Sequence, residues 1–459
     1  MTKAFLPKVA AAAALAMSFC ILAPAFSHAD VTTLRDTVSA TLMYNPNIKA
    51  FQEYRQAAED DLKRARSGWF PRVDARAGYG FEQWSDEKTR SRKAPYHPQQ
   101  RRTFYDTSNA SLTVSQTIWD GLATWNRYEQ GKLREDSAES RLFDNAEGLG
   151  LDSVLAHVEI YRQRRIVSLA ELNVQNHRSI LSSQSERHRS GASTMADVSQ
   201  TQTRLSRSEA SLAESRSALE VAIANYKRLT GRIPGQIEVP ADPMDAYPSL
   251  EAALAQSQVT NPKITALRSD AMAAEAQTGI DFSAFHPQVY LELGPTYSYR
   301  TGSALSDQGG MSFMLRANWN LFNGGYDWYN VQGDKARARQ ARQEVTALLD
   351  NLAEETEATW SQLLSSQEQS RFYANAVQYA TRTRDMYLEQ FNVGQRSLLD
   401  VLDAENELFS SSIQLVTAQQ NVIAAKYRLL TLGGSLLSSL GIDRGNLAID
   451  THQAFRGYQ

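Results

Sequence analysis

Residues 391–409 read FNVGQRSLLDVLDAENELF, and residues 189–200 read RSGASTMADVSQ. The two segments align at a spacing of 203 residues, and three aligned positions share their chemistry: Gly191, Thr194 and Asp197 in the first segment, and Gly394, Ser397 and Asp400 in the second. The glycine permits a tight turn after a helix, and the hydroxyl can cap the next helix. The aspartate then falls in the first helical turn, where it complements the helix dipole. Both segments therefore predict a turn between two long antiparallel helices.

The same spacing continues far beyond these turns, which indicates an internal duplication. At 203 residues, Trp119-Asp120-Gly121 matches Phe322-Asn323-Gly324, and Gly231 matches Gly434. Upstream the spacing is 216 residues, and the matches there are Asn45-Pro46 with Asn261-Pro262 and Pro71 with Pro287. The 13 residues of difference lie between Pro71 and Gly121. Chance does not produce such a series of matches in register.

The residue pattern of each repeat predicts a helix, a β-hairpin and two long helices, in that order. The first repeat covers residues 30–240, with its hairpin at about 72–119 and its long helices at about 121–231. The second covers residues 241–440, with its hairpin at about 287–322 and its long helices at about 324–433. Residues 1–29 precede the repeats and residues 441–459 form a C-terminal tail.

The hairpins show a strict alternation of apolar and polar residues. The clearest strand carries Met311, Phe313, Leu315, Ala317, Trp319 and Leu321 on its apolar face. An amphipathic sheet over a core and a barrel strand between lipid and water both fit this pattern. Tryptophans near the strand ends favour the barrel, namely Trp84, Trp119, Trp319 and Trp328, as does the long basic loop at 88–102. Four strands cannot close a barrel, so several copies must share one, although physics alone does not choose the number.

The long helices predict walls rather than a globular core. No proline occurs at 121–189 or at 324–391, and a helix of roughly 65 residues extends roughly 100 Å. The helix after residue 397 repeats every seven residues, with large residues at one seam position and mostly small ones at the other: Val401, Leu408, Leu415, Val422 and Leu429, then Ala404, Ser411, Ala418, Ala425 and Leu432. A second apolar stripe beside the seam suits a curved wall in which each helix has two neighbours.

The N-terminus and the composition narrow the class of protein. Residues 1–29 have the form of a secretory signal peptide that contains the only cysteine, Cys20. Without them the chain has 46 basic and 51 acidic residues, a net charge of −5 that does not suggest nucleic-acid binding. The histidines are scattered, and neither a paired-His metal motif nor a nucleophile elbow is present. The sequence therefore predicts neither an enzyme nor a cofactor.

With these features the chain resembles the TolC family of outer-membrane channels over essentially its whole mature length. The resemblance implies an α+β membrane protein of the Gram-negative outer membrane with a large periplasmic portion. It implies a homotrimer with a shared 12-stranded β-barrel and a long α-helical periplasmic barrel, two internal repeats per chain. It also implies a periplasmic adaptor (membrane fusion) protein and an inner-membrane ABC transporter, or alternatively a proton-driven pump, as partners.

The resemblance also assigns roles at the turns. Asp400 and Asp403 share a helix face, and the family implies that they form an acidic ring that selects cations and can be blocked by multivalent metals. Arg396 resembles the arginine that holds the entrance shut by bonding an aspartate on a neighbouring coil, here Asp197. The family often has Tyr where this chain has Phe391, so one hydrogen bond of that lock is expected to be missing.

Two clients fit a tunnel of this kind. The sequence GQRSLLDVLDAENELF is more similar to the type I secretion branch of the family, whose members export a large protein. The alternative is a multidrug efflux pump. A trimeric adhesin with a coiled-coil stalk is a different class, but such proteins carry their barrel strands at the C-terminus, whereas these hairpins are internal and duplicated.

Overall fold

The computed structural model describes residues 31–84, 103–243, 247–300 and 307–445. The predicted signal peptide with Cys20, the basic loop at 88–102 and positions 446–459 of the tail lie outside the described residues.

The two repeats have matching elements. The first contains α1 (Leu34–Tyr44), α2 (Pro46–Arg66), β1 (Arg72–Trp84), β2 (Thr103–Trp119), α3 (Ala123–Arg189) and α4 (Met195–Thr230). The second contains α5 (Leu250–Thr260), α6 (Pro262–Phe282), β3 (Gln288–Arg300), β4 (Asp307–Asn318), α7 (Tyr326–Asn392) and α8 (Leu398–Leu432), and a short α9 (Leu436–Ser439) follows. Both α3 and α7 have 67 residues. The first three elements of each repeat start and end 216 residues apart, and α3 and α7 do so at 203, which are the spacings of the sequence duplication.

The prolines of the short helices start a new helix. Asn45 ends α1 and caps α2 by accepting a hydrogen bond from the backbone of Asn47 at 2.9 Å. Pro46 occupies the first position of α2, where its missing N–H costs nothing. Asn261 and Pro262 do the same between α5 and α6. Each of these two prolines therefore marks a break between separate helices.

The four strands form one antiparallel sheet in the order β1-β2-β3-β4. Its register places Val73, Val114, Leu293 and Phe313 in one row across all four strands. The neighbouring row on the other face holds Arg72, Ser115, Glu292 and Met314. The apolar face is open in the single chain, since Phe81, Met311 and Leu315 are each at least 70% exposed. The register thus collects the alternating apolar residues of both hairpins on one surface.

The returning strand of the second hairpin is shorter than predicted. It ends at Asn318, which pairs with Gln288, the first residue of β3. Trp319 and Leu321 therefore lie beyond the strand, because β3 offers them no partner. The indole nitrogen of Trp319 instead donates to the backbone oxygen of Phe285 at 3.2 Å.

The heptad seams of α4 and α8 are buried, and the small positions are buried most completely. In α8 these are Ala404, Ser411, Ala418, Ala425 and Leu432, and in α4 they are Thr201, Ser208, Ser215, Ala222 and Leu229. Hydroxyls on the seam donate to carbonyls of their own helix, as Ser208 does to Leu205 at 2.8 Å. Small seam residues thus let α4 pack on α3 and α8 on α7, while the α4 seam hydroxyls of Thr201, Ser208 and Ser215 stay hydrogen-bonded. No helix in the described ranges is long and apolar enough to cross a bilayer.

Among the described residues, the largest core cluster lies where α1 and α9 meet the long helices. It joins α1, α3, α8 and α9 through side chains that include Val38, Val154, Tyr427, Leu436 and Leu437. Glu147 of α3 is 1% exposed there and accepts hydrogen bonds from the backbone N–H of Leu436 at 3.0 Å and of Leu437 at 3.4 Å. It also forms an ion pair with Arg444. This carboxylate therefore fastens α9 and Arg444 to α3.

Candidate functional site

The two helix-turn tips predicted from the sequence have the same backbone. Gly191 and Gly394 adopt φ values of +81° and +82°, a left-handed conformation that glycine adopts without strain. Each turn is closed by a hydrogen bond to the end of the preceding helix, from Ala192 to Arg187 at 2.7 Å and from Gln395 to Gln390 at 2.8 Å. The tips thus reverse the chain between α3 and α4 and between α7 and α8.

The helix caps differ between the tips. Thr194 accepts a hydrogen bond from the backbone of Asp197 at 3.2 Å, and the Asp197 carboxylate accepts from the backbone and the hydroxyl of Thr194 at 3.1 and 2.8 Å. This reciprocal pair is a capping box, and its two bonds hold the pKa of Asp197 below the ordinary value. Ser397 accepts from the backbone of Asp400 at 3.2 Å. The carboxylate of Asp400 instead lies 3.8 Å from the guanidinium of Arg396.

Arg396 makes its contacts on its own tip. Its guanidinium lies 4.1 Å from the ring centroid of Tyr387, and its Nε donates to Oε1 of Gln390 at 3.1 Å. The expected bond between Arg396 and Asp197 is therefore not formed within the single chain. Asp197 accepts hydrogen bonds from Thr194, whereas Arg396 contacts the ring of Tyr387 and the carboxylate of Asp400, one turn away. A bond between neighbouring chains stays a prediction.

Asp403 is paired across the two coils. Its carboxylate accepts from Nη2 of Arg204 on α4 at 2.9 Å. Both carboxylates of the predicted acidic ring thus have a guanidinium nearby in their own chain, Asp400 at the longer distance. Among the described residues, no cluster of three or more His, Cys, Asp or Glu could hold a metal ion. A cation ring needs carboxylates from several copies.

Phe391 joins the two coils, but through a residue that sequence reasoning missed. The guanidinium of Arg187 lies 4.5 Å from the ring centroid of Phe391, and its Nη1 donates to the Phe391 backbone oxygen at 3.2 Å. The ring is 8% exposed and packs with Leu398, Val401 and Leu402. A cation–π contact and a charge-assisted hydrogen bond therefore link the end of α3 to the end of α7.

Glu405 is the second feature that sequence reasoning missed. It is 5% exposed and accepts from Arg384 at 3.0 Å and from Asn176 at 2.9 Å. Because these donors come from α7 and α3, the carboxylate ties three helices together above the tips. Burial lowers the pKa of the nearby His177, and the charge of Glu405 opposes that shift. Its place inside the seam motif, next to the buried Ala404, was the signal that could have found it.

Comparisons with known proteins place this architecture. The model of the outer membrane efflux protein family matches residues 37–232 and 253–435, one segment per repeat. The outer membrane efflux protein BepC of Brucella suis biovar 1 (strain 1330) is 25% identical over 412 residues, which cover 85% of this chain and 88% of BepC. The alkaline protease secretion protein AprF of Pseudomonas aeruginosa (strain PAO1) is 21% identical and covers 88% of this chain and 84% of its own.

A crystal structure of CusC superposes with a TM-score of 0.74 at 17% sequence identity, covering 89% of this chain and 92% of that chain. At this identity the likeness concerns the fold. Together with the family match, it confirms the prediction of a TolC-like fold with two repeats.

Proposed function

This chain belongs to the outer membrane efflux protein family, and on that premise we propose that it is the exit channel of a tripartite export system, a passive conduit gated at its periplasmic tips. Three copies pool their strands into one 12-stranded barrel and their helices into one tunnel. A periplasmic adaptor and an inner-membrane ABC transporter complete the system. The most fitting client is a protein of type I secretion.

One observation carries this proposal: the sheet is apolar and exposed on one face and open at both edges. Within the described chain β1 and β4 each pair with one neighbour only, and unpaired backbone groups cannot remain in lipid. Pairing β1 of one copy with β4 of the next removes both edges. The mass of the detergent-solubilised particle tests this, since three copies are expected and a monodisperse monomer contradicts it.

The client is tested in a deletion strain. Loss of a protein from the culture medium with unchanged drug sensitivity supports type I secretion. The name of AprF, alkaline protease secretion protein, agrees with this result. Increased drug sensitivity with unchanged protein secretion supports the alternative, the outer-membrane component of a multidrug efflux pump. The name of BepC, outer membrane efflux protein, agrees with that result.

The gate is tested by conductance in planar bilayers. Arg396→Ser removes the cation that contacts Tyr387, Gln390 and Asp400, so the resting pore is expected to leak. The matched control is Arg189→Ser, an exposed arginine of the other tip that pairs with Glu186. Equal resting conductance in the two variants and the wild type would exclude a gating role for Arg396.

The acidic ring is tested in the same bilayers. Asp400→Asn combined with Asp403→Asn is expected to abolish block by a trivalent metal ion, because the proposal assigns metal binding to these two carboxylates of each copy. Undiminished block would show that the metal binds elsewhere.

A further inference from the structure

A pair of carboxyl groups, one buried and one half-buried, joins α6 to α7 below the second hairpin. Asp334 of α7 is 3% exposed, and its Oδ1 accepts from Arg337. Asp281, in the last turn of α6, lies within hydrogen-bonding contact of Asp334. Asn330 donates to Oδ2 of Asp281 at 2.6 Å, and Gln277 donates to its Oδ1 at 3.3 Å.

Among the described residues the two carboxyls have one ion-pair partner, since Arg337 pairs with Asp334 and no cation pairs with Asp281. Oδ2 of Asp334 has no hydrogen-bond donor there. Two carboxylates that touch repel each other, and a proton between them converts the repulsion into a hydrogen bond. One bound proton therefore satisfies both the charge and the free oxygen.

The duplication provides an internal comparison for this contact. The residues equivalent to Asp281 and Asp334, at spacings of 216 and 203, are Ala65 and Gly131. They also face each other, since a Cβ added at Gly131 would lie 3.6 Å from Cβ of Ala65. The same helix contact is thus made in the first repeat by two small neutral residues. The fold does not require acids at this position.

We propose that Asp281 and Asp334 form a proton-binding site that fastens α6 to α7 beneath the second hairpin and loosens this contact when the proton leaves. The ligand is a single proton shared by two carboxyl groups. Below the first hairpin the equivalent contact joins Ala65 and Gly131, which have no titratable group. Of these two equivalent contacts, only the one in the second repeat therefore responds to pH.

The surroundings support a proton rather than a metal ion. A cavity of about 230 Å³ borders the site, and its polar or charged lining residues are Gln130 and Arg134 from α3, Asp270 and Gln277 from α6, and Asp334 and Arg337 from α7. The charge of Asp270 is taken up by Arg141 at 2.6 Å. Arg134 and Arg337 place two guanidinium groups on the lining of this cavity, which disfavours a divalent cation there.

The electrostatics agree with this geometry. Burial, and then the contact with Asp334, raises the pKa of Asp281 from 3.8 to about 6. Because the pKa of the folded protein lies above the ordinary value, the protonated pair stabilises the fold. This contribution is complete below about pH 4 and is lost as the pH rises through about 6.

The experiment compares the thermal unfolding of the full-length protein in detergent with that of Asp281→Asn between about pH 4 and pH 8. The Tm of the wild type is expected to fall relative to that of the variant as the pH rises from about 4, and to level off above about 6, where the folded protein has lost the proton. The carbonyl stretch of a protonated carboxylic acid, followed by infrared difference spectroscopy, should vanish with a midpoint at about pH 6 in the wild type. It should be missing in Asp281→Asn.

Three further variants keep the test decisive. Asp281→Ala with Asp334→Ala reproduces the small contact of the first repeat and should remove the pH-dependent component. Thr278→Val, which deletes another buried hydroxyl without a partner on α6, and Asp350→Asn, an exposed acid of α7, should both retain it. Parallel Tm curves for the wild type and Asp281→Asn would overturn the proposal. So would a midpoint displaced by millimolar Mg²⁺ or Ca²⁺, which would indicate a cation site. Neither outcome depends on what the channel transports.

Discussion

The two repeats share their helix lengths and turns but bury different ionisable groups. In the first repeat Glu147 and His157 are 1% and 0% exposed, whereas the equivalent residues of the second repeat are the exposed Asp350 and the half-buried Trp360. In the second repeat Asp334 is buried, whereas its equivalent is Gly131.

Near the tips, the buried ionisable group again belongs to the second repeat. Glu405 is buried with Arg384, whereas the equivalent residues of the first repeat are Gln202 and Leu181. Each position thus folds with or without the charge. The buried charges therefore serve local tasks, such as fastening α9 to the first repeat and joining helices near the hairpin and the tip in the second.

The largest effect is expected where Glu147 of the first repeat anchors α9 and Arg444. Glu147→Gln leaves the guanidinium of Arg444 without its partner and weakens the hydrogen bonds to the start of α9. Removing one member of a buried ion pair costs about 3 kcal/mol of unfolding free energy. The matched variant Asp350→Asn in the second repeat should change it by less than about 0.5 kcal/mol. Similar unfolding midpoints for the two variants would contradict this difference between the repeats.

The second effect concerns acid stability at His157. Its ring contacts Thr37 at 3.0 Å and the backbone oxygen of Glu238 at 3.2 Å, and burial lowers its pKa to about 4. The neutral ring stabilises the fold above the ordinary pKa of 6.5, and this contribution is lost as the pH falls toward 4. Between pH 7 and 4 the wild type should lose about 2 to 3 kcal/mol relative to His157→Gln.

The control for His157 lies within the protein itself. Asp281 is present in both the wild type and His157→Gln, so its opposite pH dependence cancels in the comparison. A constant difference in unfolding free energy across this pH range would show that the buried ring does not titrate with folding.

The smallest effect separates the two tips. Thr194→Ala breaks a capping box with reciprocal bonds to Asp197, whereas Ser397→Ala removes one bond to the backbone of Asp400. Loss of an N-cap costs about 1 kcal/mol, so Thr194→Ala should lie somewhat above this value and Ser397→Ala somewhat below it. The reverse order, measured by denaturant unfolding or by local hydrogen exchange, would mean that the second tip is capped more strongly than its bonds indicate.

The sequence predicted the helices, the turns and the strand faces well because these features are local or periodic. Gly191 and Gly394 mark left-handed turns, the seven-residue repeat marks the buried seam, and alternation marks the apolar face of the sheet. The end of the last strand was misjudged because alternation continues to Leu321, whereas pairing stops where β3 begins.

The partners of the long charged side chains could not be predicted in the same way. Arg396 was expected to bond Asp197, yet within the chain it contacts Tyr387, Gln390 and Asp400. Arg187 was not singled out, although it binds Phe391 from a helix about 200 residues away in sequence. A flexible side chain reaches several helices, and its choice depends on the distance between them.

The sequence by itself determined the duplication, the two hairpins, the four long helices and the seam along which they pack, because each follows from short-range spacing that the backbone must obey. Only the tertiary structure decided that Asp281 meets Asp334, that Glu405 joins three helices and that Glu147 binds α9 and Arg444. Those contacts join residues far apart in the chain, and they form only once the coils have fixed the distance and rotation of one helix against the next.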